Sequence, residues 1–263
     1  MAKDNFAAVM DEVFAHEGGL STTPKDPGNW TSGRVGEGDL RGTKYGIAAH
    51  AHPTVNIRDL TKAQAAEIYR RAYWQAIRGD ELRRGLDLVT MDAAVNSGVS
   101  RGVRWLQMAA GVRQDGKMGP LTLSAANDSA DPIGVIQRAC AARLGFLRGL
   151  RIWGSFGRGW SRRVASVEAV ATRMVVQRAG APARPVLIDA RDKATATARR
   201  DEATAGAGGI SGAGGFTFAD VPDWTLWVLG ILLVIFVVNQ VGRARLQKDR
   251  AAAFQTAAEG ADK

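Results

Sequence analysis

Apolar residues at Phe6, Val9, Met10, Val13 and Phe14 recur at three- and four-residue spacing, which gives a helix one apolar face. Asn5 or Asp4 can cap its start, and Gly18 and Gly19 end it. Residues 20–42 lose the periodicity and turn polar, predicting a long loop or small hairpin region. Thr61 followed by Gln64 is a capping-box pattern opening the next helix. The run "LDLVTMDAAVNSG" predicts a mostly apolar, buried helix ending at Gly98, and Ser100 can cap the helix of "RGVRWLQMAAG". The run "VRQDGKMGPLT" reads as a turn into a helix with Pro120 in its first turn. Asp131 and Pro132 open a long helix to about Trp153, the glycines of "GSFGRG" predict a break, and a last helix runs from Trp160 to about Arg178. The front of the chain is expected to be nearly all-α.

Beyond residue 178 the pattern changes character. Residues 179–222 are rich in Ala, Gly, Thr and charge, which predicts a flexible linker with at most a transient helix in "DARDKATATARRDEA". Between Trp224 and Gly242 no charge occurs. Such a stretch, about 28 Å long as a helix, approaches the thickness of bilayer hydrocarbon, so residues 223–242 are expected to form a C-terminal transmembrane helix. Residues 243–263 form a tail opening with Arg243, Arg245, Lys248 and Arg250. The positive-inside rule then predicts a single pass through an inner membrane, the C-terminus cytoplasmic and the front domain periplasmic. The start of the chain is not a secretory signal, because Asp4, Asp11 and Glu12 interrupt any apolar run.

Charge narrows the partners. The 263 residues carry a net charge of +9, concentrated up to Gly180, where 25 Lys and Arg stand against 17 Asp and Glu. A polyanionic partner is implied, whether wall polymer, anionic lipid or nucleic acid. Arginines such as Arg138, Arg143, Arg148, Arg151, Arg158, Arg162 and Arg163 read as solvated faces suited to an anionic polymer. Cys140 is the one cysteine, so no intrachain disulfide forms, and its helical context predicts a buried small apolar residue. His16, His50 and His52 lack metal-ligand spacing, and neither a phosphate loop nor a nucleophile elbow occurs. The expectation is a chain with no metal and no cofactor.

The stretch "HEGGLSTTPKDPGNW" carries the chemistry. Glu17 closes the first predicted helix, at the negative end of the macrodipole, where the ionised carboxylate is disfavoured. Gly18 and Gly19 clear side chains from its approach. Such a group suits a general acid, as glycoside hydrolysis requires, usually beside a second carboxylate. By residue type alone, a solvated helix-end glutamate remains the plainer reading.

The ordered set "HEGG", "DPGNW", "GTKYGI", "AEIYRRAYW", "DAAVNSG" and "LQ" followed by "DGKMGPLT" resembles glycoside hydrolase family 108, the phage-type endolysins that act as N-acetylmuramidases. The resemblance covers about residues 6–178 and implies a lysozyme-like, mainly α fold. It implies a muramidase module over residues 1–88 and a helical peptidoglycan-binding segment over 89–178, packed with the first. It makes Glu17 the catalytic glutamate. Leu20 stands where the family has tyrosine, and "NWTSGRVGEGDLR" is an additional polar stretch that can form a flap.

Asp26, nine residues after Glu17 in a Pro-flanked loop, is the candidate second carboxylate, with turn formation the competing reading. Asp39 and Glu37 are weaker alternatives. Thr43 and Tyr45 are candidates for positioning water or sugar, and Trp30 for stacking on a sugar ring, while Tyr73 and Trp74 are better explained by packing. Asp92 and Asn96 share one face of an apolar helix and either line the cleft or serve a buried hydrogen-bond network. The expected partners are peptidoglycan strands, a lipid bilayer and, in a lytic setting, a holin, with no nucleic acid. The expected function is cleavage of the β-1,4 bond between N-acetylmuramic acid and N-acetylglucosamine, for phage or phage-derived lysis. The alternative is a non-catalytic, membrane-anchored wall-binding protein.

Overall fold

In the computed structural model the described residues are 5–207 and 223–261, with side chains described for 5–206 and 231–261. The chain divides into two compact units, Met1–Gly145 and Phe146–Lys263.

In the first unit, helix α1 (Phe6–His16) buries the five apolar positions of its predicted face. A single turn of 3-10 helix, Pro27–Asn29, precedes a minimal antiparallel hairpin of β1 (Thr43–Lys44) and β2 (Ile47–Ala48). Helix α2 (Lys62–Tyr69) starts at the predicted capping box, with Thr61 and Gln64 satisfying each other's backbone. It continues as a π-helical turn, Arg70–Trp74. Helices α3 (Leu86–Ser97), α4 (Val99–Ala109), α5 (Pro120–Asn127) and α6 (Pro132–Arg148) follow.

Helix α3 is the centre of this unit: every residue from Leu86 to Ala94 is buried, and it packs against α1, α4 and the π-helical turn. The domain boundary expected at residue 88 therefore falls inside α3. Trp74 is fully buried, edge-on to Phe6 at 5.1 Å, and its indole N–H donates to Asp80 at 3.0 Å. A methyl on Gly79 would lie 2.3 Å from that indole, so glycine there permits the close approach.

Buried polar groups fix the helix starts. Asp87 accepts hydrogen bonds from the Asn5 side-chain amide at 2.7 Å and from the backbone N–H groups of Gly85 and Leu88 at 2.8 and 2.7 Å. Burial pushes its carboxyl up to about 6, against the downward pull of those donors and of Arg84. In α4, buried Gln107 organises the loop into α5. Its amide nitrogen donates to the Asp115 carboxylate, the Lys117 carbonyl and the Thr122 hydroxyl at 2.8, 3.0 and 3.1 Å, and its oxygen accepts from Gly116 N–H at 2.9 Å. Cys140 is buried, as its context predicts.

The second unit holds three long helices, α7 (Trp153–Arg178), α8 (Ala183–Ala207) and α9 (Asp223–Glu259). Helices α8 and α9 run antiparallel, with Arg191 bonded to Gln255 at 2.7 Å and Lys248 paired with Glu202 at 2.5 Å. Alanines 194, 198, 244, 257 and 258 are among the buried positions. Glu168 of α7 is 3% exposed and is held by the fork of Arg250 on α9, at 3.1 and 2.5 Å.

Three expectations change. Helix α7 runs through "GSFGRG": Gly157 lets the Trp153 ring pack against the backbone, since a methyl there would lie 2.6 Å from the indole. Helix α8 lies within the stretch read as flexible linker, and it is held because Leu187, Ala194 and Ala198 are buried; residues 208–222 of that stretch lie outside the described residues. Finally, no helix among the described residues is long and apolar enough to cross a membrane. Helix α9 is continuous from Asp223 to Glu259, and past Gly242 it carries Arg243, Arg245, Lys248 and Arg250. The side chains of residues 224–230, including Trp224 and Trp227, lie outside the described residues. The C-terminal transmembrane helix and the single-pass inner-membrane placement deduced from it are overturned.

Candidate active site

Glu17 is the C-cap of α1, in extended conformation, with its N–H bonded to Phe14 carbonyl at 3.3 Å. It is half-buried. The chain then leaves the helix through Gly18 and Gly19, where an added side chain would meet no atom within 4 Å. One side of the carboxylate's backbone therefore faces open space. Ser21 pairs with Thr43 through two backbone hydrogen bonds of 2.8 and 2.9 Å, drawing the β1–β2 hairpin alongside the helix end.

The hairpin turn lies on Glu17. Tyr45 and Gly46 both have positive φ, 52° and 75°, the geometry of a tight two-residue hairpin turn. Tyr45 N–H donates to Gly18 carbonyl at 3.1 Å. The hydroxyl of Tyr69, at the end of α2, donates to Tyr45 carbonyl at 3.0 Å. A methyl on Gly46 would stand 2.2 Å from the Tyr69 hydroxyl oxygen and 2.9 Å from Glu17 Oε2. Glu17, Tyr45, Gly46 and Tyr69 therefore form one cluster, backed by Phe14, whose ring is 5.7 Å from both tyrosine rings. Tyr73 adds a further ring 5.6 Å from Tyr69. The π-helical turn that begins after Tyr69 is the kind of irregularity that concentrates at functional sites.

Asp26 is exposed and caps the 27–29 turn, its Oδ1 accepting from Gly28 N–H at 2.9 Å. Its loop is tied to the hairpin: Asn29 carbonyl accepts from Arg41 and Gly42 N–H at 3.0 and 2.9 Å, and Gly28 carbonyl accepts from His50 N–H at 3.3 Å. Asn29 is fully buried and its side chain clips Thr23 carbonyl at 3.0 Å. Trp30 is half-buried, its indole N–H donating to Pro24 carbonyl at 2.8 Å. The additional polar stretch folds on itself, with Trp30 bridged to Leu40 and Thr31 N–H bonded to Asp39 carbonyl at 3.0 Å. Asp39 pairs with Arg41 at 2.7 Å, and Glu37 with Arg34 at 3.5 Å.

Asp92 belongs elsewhere. It is fully buried and paired with Arg143 of α6 at 2.5 Å, both side chains nearly inaccessible. A buried carboxylate requires such a partner, and this pairing has the geometry of the buried-network reading of Asp92. Arg143 thereby leaves the solvated face. Asn96 is half-buried and accepts from Ser97 hydroxyl at 3.0 Å. Tyr69 is the residue sequence reasoning passed over: "AEIYRRAYW" announces it, but its meeting with Glu17 depends on a hairpin 24 residues away.

The family described as Glycosyl hydrolase 108 matches residues 10–98, a span holding Glu17, the hairpin, Tyr69 and the whole of α3. Among solved structures, the "Structure of Brucella abortus SagA" is 37% identical, covering 66% of this chain and 97% of that chain, with a TM-score of 0.55. No curated protein matches. The chain belongs to glycoside hydrolase family 108. It is a glycoside hydrolase of lysozyme-like type acting on peptidoglycan.

Proposed function

We propose that the protein is an N-acetylmuramidase, cleaving the β-1,4 bond between N-acetylmuramic acid and N-acetylglucosamine with Glu17 as the acid that protonates the leaving oxygen. The observation that carries this is a half-buried carboxyl fixed between a pinned hairpin turn and an open, glycine-lined approach. Asp26 is the second carboxylate in this reading. Its loop is anchored to the same hairpin, and the Gly28 N–H fixes its orientation. Depending on its distance from the sugar, such a group activates water or stabilises positive charge on the ring. Thr43 and Tyr45, on the hairpin, and Trp30 are the proposed glycan contacts. Residues 1–88 act as the hydrolase module, and the segment 89–178 grips the wall polymer. The resemblance to phage-type endolysins favours lysis as the setting.

Mass analysis of fragments from digested peptidoglycan tests the bond. Muramic acid at the new reducing end is the expected result; glucosamine there, or cut peptide, overturns it. D26N keeps the capping oxygen but removes the charge, and is expected to slow turnover by about 10- to 1000-fold if the carboxylate acts in the reaction. A rate within threefold of wild type leaves Asp26 with the turn alone.

A further inference from the structure

We propose that Tyr69 is a positioning residue for Glu17, holding the carboxyl from the side opposite the glycan, and that Gly46 keeps free the space the two side chains share. This rests on the reading of Glu17 as the acid. Tyr69 is 2% exposed, and its ring is fixed by Phe14, edge-on at 85°, and by Tyr73. A phenol has one proton and two acceptor lone pairs, and here the proton goes to Tyr45 carbonyl. The neighbouring N–H of Tyr45 goes to Gly18 carbonyl, one residue after Glu17. The turn is thus pinned twice, once to the chain carrying the acid and once to the phenol.

The phenol oxygen and the carboxyl meet over Gly46: a methyl there would be 2.2 Å from one and 2.9 and 3.2 Å from Oε2 and Cδ of the other. Nothing lies within 4 Å of a side chain added at Gly18 or Gly19. The half-buried carboxyl therefore has a closely packed ring at its side, while the two residues that follow it leave their own surroundings open. Catalysis is sensitive to such bounds, since a displacement of about 1 Å in a reacting group can cost roughly a hundredfold in rate.

The test is Y69F in the full chain, with kcat and KM measured on purified sacculi and folding followed by circular dichroism. The expected result is a fall in kcat of about 10- to 100-fold with KM within twofold of wild type, at a temperature where the variant is folded. In the E17Q background, Y69F is expected to add nothing to the residual loss, because there is no longer an acid to place. A wild-type kcat, a loss confined to KM, or an independent multiplicative loss on top of E17Q overturns the proposal. If E17Q itself retains full turnover, the reading of Glu17 falls instead; if E17Q is inactive while Y69F is wild-type, only the role of Tyr69 falls.

Discussion

The two units bury their interiors with different chemistry. In residues 1–145, Asn5, Asn29, Asp87, Asp92, Gln107 and Arg143 are all buried, each beside a turn or helix end that it fixes or on a helix that it ties to another. In residues 146–263 the buried set is dominated by alanine and valine along three long helices, with Glu168 held by Arg250. A helix laid on a helix needs only a periodic apolar stripe and small side chains. A carboxyl that must be set beside a two-residue hairpin turn needs specific donors and acceptors, and those are expensive to leave unpaired. The unit that carries chemistry is accordingly the one with polar fastenings.

This contrast is open to attack at several points. E17Q should abolish wall hydrolysis, with turnover down by about 100- to 10,000-fold, while melting temperature stays near wild type because the side chain is half-buried at a helix end; clearing of purified sacculi measures the first and calorimetry the second. R143A strips the partner from buried Asp92 and should cost about 3–5 kcal/mol in urea unfolding. A loss under 1 kcal/mol would mean the pair is not a fastening at all.

Asp87 offers a milder perturbation. Its carboxyl titrates near 6 when folded and near 3.9 when unfolded. Between those values the folded protein holds a proton that the unfolded chain has released. The contribution of Asp87 therefore favours folding at acid pH and is lost as pH rises through about 6. The swing is of order 3 kcal/mol. Comparing urea midpoints of wild type and D87N from pH 4 to 7 isolates it, since D87N lacks the titration. The smallest effect belongs to the second unit: A198L overpacks the α8–α9 contact and should cost about 1–3 kcal/mol without altering turnover. If charge removal proved harmless in the first unit and size changes harmless in the second, the distinction would dissolve.

Sequence legibility follows the sequence separation of the partners instead. The face of α1, the Thr61–Gln64 capping box and the burial of Cys140 are readable because each depends on neighbours within a turn or two. The role of Asp92 was not, because its i+4 relation to Asn96 looks like a shared polar face until Arg143, 51 residues on, is brought against it. Tyr69 failed for the same reason. The glycines of 154–159 read as a break and the composition of 183–207 as linker with at most a transient helix, yet both stretches are helical because packing on a neighbouring surface outweighs weak local preference. The apolar run after Trp224 invites a spanning assignment on hydropathy alone, whereas α9 continues to Glu259 with Phe254, Ala257 and Ala258 buried.

Gln107 has a consequence for how this enzyme can change. One hidden amide supplies the anchor for the whole bend between α4 and α5, and it engages Lys117 only through the main chain. Leu121, 83% exposed one residue into α5, carries no share of that anchoring. Apart from Asp115, whose carboxylate belongs to the anchor, the outward letters of this bend are thus free to be rewritten by selection, or by an engineer seeking a different wall chemistry, while the scaffold beneath them stays the same.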